Sequence, residues 1–284
     1  MLRRSLTSGG SRITALQVGN AIAFAATILV NSLAGSTKII GGRNTADVSA
    51  AFPTLVTPAG FTFAIWGVIY VLLAALVIFQ FLPSHRRDTF NGQIGGLFIV
   101  SSLLNIVWLF LWQNELIVES VLVIFCLLIT LAAIYLRLDV GRSTVSLGER
   151  LCVHLPFSVY LGWITVASIA NVSSALVSIE WNGLGLSPTL WAQLVVVVAL
   201  GITLLVLGTR REPAYGLVIT WALVGIATNQ LGYPAVAPVT EISAIVAAVS
   251  TCAVLVFVVR GRQGTRAVTP TPTQRSLTTI HPAD

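Results

Sequence analysis

The chemistry available to this sequence comes from indoles and amides set at helical spacing. Asn105 and Trp108 stand three residues apart in LLNIVWLFLW, and Tyr160, Trp163, Ala167 and Asn171 follow steps of three and four in LPFSVYLGWITVASIANV. Each set therefore lies along one helical face. Phe63, Trp66 and Tyr70 make a third stripe in TPAGFTFAIWGVIY. Indole and phenol faces stack on planar π-systems, and amides hydrogen-bond to a polar edge. That is the equipment of a largely apolar pocket with a few orienting polar groups. A plainer role competes with it, because an amide in hydrocarbon needs a partner, and helix-to-helix polar contacts of about 1 kcal/mol are common in bundles. Three indoles and two amides converging from three segments favour a shared cavity over glue alone.

The elements that must hold these residues are membrane helices. Of 284 residues, 56% are hydrophobic and only 9% charged, a balance that excludes a soluble globular chain. Apolar stretches long enough to cross a bilayer recur at residues 14–35, 58–82, 94–113, 116–138, 151–175, 189–209, 214–232 and 237–260, which predicts eight spans in an all-α protein. The first stretch is read as a span and not as a cleaved signal peptide, being long for a signal core. With both termini in the cytoplasm, every one of the 16 Lys and Arg except Lys38 and Arg43 falls on the inner side, the asymmetry that orients membrane proteins. The net charge of +6 is thereby a topology signal and needs no nucleic-acid partner. The bilayer is the partner it implies, with a bacterial plasma membrane as the expected location.

Depth separates the tryptophans. Trp112, Trp181 and Trp191 fall near outer span ends, where indoles favour the headgroup level, and are expected to be belt residues. Trp66, Trp108 and Trp163 lie roughly 12, 8 and 17 Å deeper at 1.5 Å per residue. Trp221 and Asn229 on the seventh span repeat the indole-plus-amide theme and are expected to pack at a helix interface. Glu119 and Glu241 sit in first turns near an outer end, where a carboxylate meets water and a helix N-terminus. Cys126, Cys152 and Cys252 have no metal or redox spacing and are expected to be small buried residues. His154, followed by Pro156, has no second ligand at metal spacing. Neither a metal nor a catalytic residue is expected: there is no phosphate-binding loop, nucleophile elbow or clustered acid and base. The Pro/Thr-rich end, residues 261–284, has the composition of a disordered tail.

The three segments quoted above, in that order and on the second, third and fifth spans, resemble the signature helices of the tryptophan-rich sensory protein/translocator protein (TspO/MBR) family. The resemblance covers about residues 14–175. It implies a TspO-like five-helix ligand-binding bundle over residues 1–180, with three additional transmembrane helices over 181–260. It also implies an outer-half cavity that binds a planar hydrophobic molecule such as a tetrapyrrole, lined by Phe63, Trp66, Tyr70, Asn105, Trp108, Tyr160, Trp163 and Asn171. The first loop would be its lid, through Phe52, Pro53 and Pro58. The chain departs from the family where a tryptophan usually precedes the second helix, since FPTLVTPAG has none, and it lacks a Tyr-then-basic sterol pattern after Asn171. The expected function is a receptor or sensor, or also a carrier, with a homodimer compatible with it. The alternatives are a small-solute permease, a porphyrin-modifying protein and a scaffold whose tryptophans only pack.

Overall fold

A computed structural model describes the backbone of residues 2–36, 39–85, 88–230, 232 and 234–266, and side chains within 15–35, 39–85, 88–230, 232 and 234–260. Of the disordered tail expected over residues 261–284, residues 261–266 instead form the end of α11, and the rest lies outside the described residues. Among the described residues all regular structure is helical: α1 (Leu2–Ser36), α2 (Thr45–Ala51), α3 (Ile65–Phe81), α4 (Thr89–Ile94), α5 (Leu97–Gln113), α6 (Ile117–Arg137), α7 (Leu147–Glu149), α8 (Leu155–Ser178), α9 (Pro188–Arg210), α10 (Pro213–Asn229) and α11 (Ala237–Arg266).

Local chemistry sets the boundaries. Asn44 and Asp47 form a reciprocal capping box that starts the short α2 in the first loop. Ser187 and Glu212 cap α9 and α10, each followed by a proline in the first turn, where the missing N–H costs nothing. Gly95, at φ 50°, separates α4 from α5. Before α8 the helix widens into a π turn over Arg150–His154. Pro156 cannot donate to the carbonyl four residues back and its ring crowds that carbonyl, so a wider turn accommodates it.

Among the described residues, six helical segments are long and apolar enough to cross a membrane: Ala15–Gly35, Gly60–Phe81, Ile117–Arg137, Leu147–Ser178, Pro188–Arg210 and Ala237–Arg260. Two shorter apolar helices, α5 and α10, have 17 residues each, about 25 Å of rise against roughly 30 Å of hydrocarbon. Each of the eight sequence stretches thus holds an apolar helix, six of them at full membrane length.

The core centres on α8, which packs against α3, α6 and α10. Phe157, Tyr160, Trp163 and Ile164 on α8 are buried, and α10 buries Tyr215, Val218, Ile219, Ala222 and Leu223. The two helices meet at Gly162, where a Cβ would sit 3.2 Å from Val218 Cβ and 3.4 Å from the Tyr215 carbonyl. Helices α9 and α11 then flank α10. The linkers sort to two ends. At one, Arg210 pairs with Asp139 at 2.6 Å and Arg142 Nε donates to the Thr209 carbonyl at 3.1 Å. At the other, Arg43 of the first loop pairs with Glu115 at 2.9 Å. Cys126 and Cys252 are exposed on outward helix faces, not buried as expected, because the faces that carry them look away from the bundle.

The α8–α10 contact generates a stability prediction. Gly162→Leu should lose about 1–3 kcal/mol by overpacking, read as a lower unfolding temperature of the purified protein in detergent. Gly201→Ala on α9, where an added Cβ meets nothing within 4 Å, should be neutral or stabilising by up to about 1 kcal/mol from helix propensity.

Candidate functional site

Trp66 is the hub of an aromatic cluster. Its ring centroid lies 5.7 Å from Tyr70, 6.4 Å from Trp108, 6.0 Å from Tyr160 and 6.3 Å from Trp163, and Phe63 meets Trp163 edge-on at 5.9 Å. These separations are the range of favourable stacked and T-shaped pairs. Trp108, Tyr160 and Trp163 are buried, while Phe63, Trp66 and Tyr70 are half-buried. The helical stripes of α3, α5 and α8 thus meet one another, as their spacing indicated.

The two amides bind helices together. Asn171 Oδ1 accepts from Trp108 Nε1 at 2.8 Å and from the Ser120 hydroxyl at 3.1 Å, joining α8 to α5 and α6. Asn105 Oδ1 accepts from Asn31 Nδ2 of α1 at 2.8 Å. The gluing role that competed with the pocket role is therefore visible for both. Trp163 Nε1 is buried without a hydrogen-bond partner among the described residues.

A cavity of about 1100 Å³ lies beside this cluster, under the first loop. Its wall comes from α2 and the segment through Gly60, from the end of α8, from the α8–α9 linker, from the start of α9 and from the end of α10. Of the residues expected to contact ligand, Phe63 lines it; of the expected lid, Pro53 and Pro58 do. Trp66, Tyr70, Asn105, Trp108, Tyr160, Trp163 and Asn171 do not border it and connect to it through Phe63. Phe52 packs on the core.

Trp181 and Trp191, expected from sequence as belt residues, line the cavity. Between them Gly183, Leu184 and Gly185 all have left-handed φ, at 69°, 51° and 80°, so the linker folds back on itself. Trp191 Nε1 donates to the Gly183 carbonyl at 2.8 Å, and the two indole centroids are 5.1 Å apart. The sequence signal was the paired tryptophans around a Gly-X-Gly turn. Trp112 is no belt residue: it is buried, stacks on Trp108 and donates to the Thr45 carbonyl at 3.2 Å, tying α2 to α5.

The loop is clamped from the far side by α10. The Ala59 N–H donates to the Gly225 carbonyl at 3.0 Å, Trp221 Nε1 to the Thr62 carbonyl at 3.0 Å, Asn229 Nδ2 to that of Thr57 at 3.0 Å, and Gln230 Nε2 to that of Thr54 at 3.4 Å. Trp221 and Asn229, expected to pack between helices, hold loop backbone instead. Gly225 is required by this approach, since a Cβ there would overlap the Thr62 side chain. Asp47 and Glu180 are the charged residues of the cavity wall, and no Lys, Arg or His lines it among the described residues. Glu119 and Glu241 are exposed, away from it. His154 is buried toward the opposite end of α8, and the described residues contain no group of three metal-binding side chains.

The sequence model of the family described as TSPO-like protein matches residues 17–259. The match runs through α9, α10 and most of α11, well past the stretch that carried the resemblance. Neither a curated protein nor a solved structure matches the chain. With six helices of membrane length, the match makes this an integral, multi-pass membrane protein.

The amide geometry yields a double-mutant prediction. Asn171→Leu leaves the Trp108 N–H buried without its acceptor, while the Ser120 hydroxyl keeps the Ile117 carbonyl at 2.7 Å, and should cost about 1–3 kcal/mol. Combining it with Trp108→Phe should recover part of that loss, because removing both partners of a buried hydrogen bond is milder than removing one. Thermal unfolding of the four proteins in the same detergent measures the coupling.

Proposed function

The chain belongs to the TSPO-like protein family, and on that premise we propose that it is a membrane receptor or sensor that binds a hydrophobic small molecule in the cavity beneath the first loop. The observation that carries this reading is the cavity itself: about 1100 Å³, at the upper edge of the roughly 300–1,000 Å³ usual for small-molecule sites. Leu55, Val56, Phe63, Leu176, Val177 and Val195 give it an apolar lining. Phe63 bridges this lining to the Trp66 cluster, so ligand contact at the cavity bears directly on the aromatic packing of α3, α5 and α8. A planar ring system, of tetrapyrrole or smaller size, is the ligand shape that indole walls favour through offset and edge-on stacking.

In this reading all eight apolar helices cross a bacterial plasma membrane and both termini are cytoplasmic. The first loop and the cavity then lie at the outer face, and the Asp139–Arg210 end lies inside. The 17-residue α5 and α10 span with a locally thinned bilayer or with flanking polar side chains reaching to the interface. The unit 1–180 forms the five-helix ligand-binding bundle, and the helices of 181–260 complete the cavity wall.

Two measurements test this. Tryptophan-quenching titration of the purified protein against tetrapyrroles, sterols and carotenoids should give saturable binding to at least one planar compound. Val195→Phe, which pushes a ring into the cavity at the start of α9, should weaken it by about tenfold or more through steric overlap with the ligand, whereas Trp108→Phe, remote from the cavity wall, should leave it within about threefold. An affinity insensitive to Val195→Phe places the ligand elsewhere and refutes the assignment. Reporters fused after Arg142, Arg211 and Arg266 should all read cytoplasmic, as the positive-inside distribution requires.

A further inference from the structure

We propose that the cavity ligand carries a short saturated side chain, and that this chain docks in a second, apolar space between α8, α9 and α10 that continues the cavity inward. This rests on the reading of the cavity as the ligand site and adds a feature of the ligand's shape.

The chemistry of the second space selects its occupant. It holds about 20 Å³, its lining is aliphatic throughout, and each of the three helices contributes an alanine: Ala170, Ala199 and Ala222. Short side chains facing one another leave a gap in an interior that is otherwise close-packed. About 10–15 Å³ is enough for one water, but a water needs two or more polar partners, and this lining contains no polar side chain. A hydroxyl or carboxylate entering it would give up hydration without a partner. A methyl-sized apolar group loses nothing and restores the contacts that the gap leaves unmade.

The position of this space ties it to the cavity. Val56 and Val195 line both, so the partition between them is made of valine side chains. On each helix the lining carries on along the face that borders the cavity, in steps of three and four residues. It runs from Ser173 to Ile169 on α8, from Val195 to Ala199 on α9, and from Asn229 through Ile226 to Ala222 on α10. At 1.5 Å per residue these steps lead roughly 6–10 Å further from the first loop. A ring held in the cavity can thus extend one alkyl group past the partition, gaining about fourfold in affinity for each methylene buried.

The test uses pyrene, 1-ethylpyrene and 1-butylpyrene, with energy transfer from tryptophan to the ring as the signal. Each compound is titrated into the full chain and its variants in one uncharged detergent, so that partition into micelles cancels between proteins. Ala199→Val narrows the second space at a residue that does not border the cavity. It should weaken 1-ethylpyrene and 1-butylpyrene by about fourfold or more and leave pyrene within about twofold. Val196→Ala, also confined to the second space, widens it and should tighten 1-butylpyrene relative to pyrene by about fourfold. That variant decides alone if Ala199→Val does not fold. An equal effect on all three compounds, or no effect on any, overturns the side-chain inference while the cavity reading stands. Absence of saturable binding by all three, or binding unaffected by Val195→Phe, removes the cavity reading and the inference with it.

Discussion

A stretch of irregular backbone at the mouth of a helical bundle has carbonyls and amides that need partners, and α10 supplies them to the first loop. Four hydrogen bonds link residues 54–62 to α10 and the residue after it, across sequence separations of more than 150 residues. Non-helical backbone is tolerated near membrane depth where it is buried in protein or borders a cavity, and both conditions hold here. Without these bonds residues 54–62 would lose their ties to α10, leaving the loop held at its start by Trp112 and by the Arg43–Glu115 pair. The C-terminal helices thereby acquire a structural role. Helix α10 packs on α8 through Gly162 and approaches the loop through Gly225, so bundle and first loop are joined by one helix.

The aromatic cluster of α3, α5 and α8 and the cavity lie side by side and are built differently. Trp66, Trp108, Tyr160 and Trp163 pack on one another and gain their stabilisation from mutual contact. Asn171 and Asn105 then satisfy polar groups between α8, α5, α6 and α1. Such a cluster is stiff, because close-packed interiors resist volume change. The cavity is lined by aliphatic side chains, by loop residues and by the Trp181–Trp191 pair, outside that cluster. Phe63 belongs to both and links the cavity lining to the helix packing.

Most of the helical plan was legible in the chain alone. Eight apolar stretches became helices near the expected bounds, because a bilayer-length apolar run has only the helix to satisfy its backbone. The three stripes at steps of three and four converged because residues at those steps share a face. The family resemblance carried by those stripes agrees with a family match that extends to residue 259. The helix starts at Asn44, Ser187 and Pro213 were likewise written locally, in caps and first-turn prolines.

Partner choice was not written locally. An indole near a span end reads as an interfacial anchor, yet Trp112 turns inward to Thr45 and the Trp181–Trp191 pair turns onto a cavity. Depth along a helix is a one-dimensional quantity, whereas facing depends on which helix packs alongside. Trp221 and Asn229 likewise looked like interhelical contacts until a loop more than 150 residues earlier came to rest against them. Composition and periodicity act within each segment, and they suffice to make this chain a membrane bundle of apolar helices carrying aromatic and amide stripes. Which faces close on one another and which leave a space emerged only on folding, because that depends on contacts between segments distant in the chain.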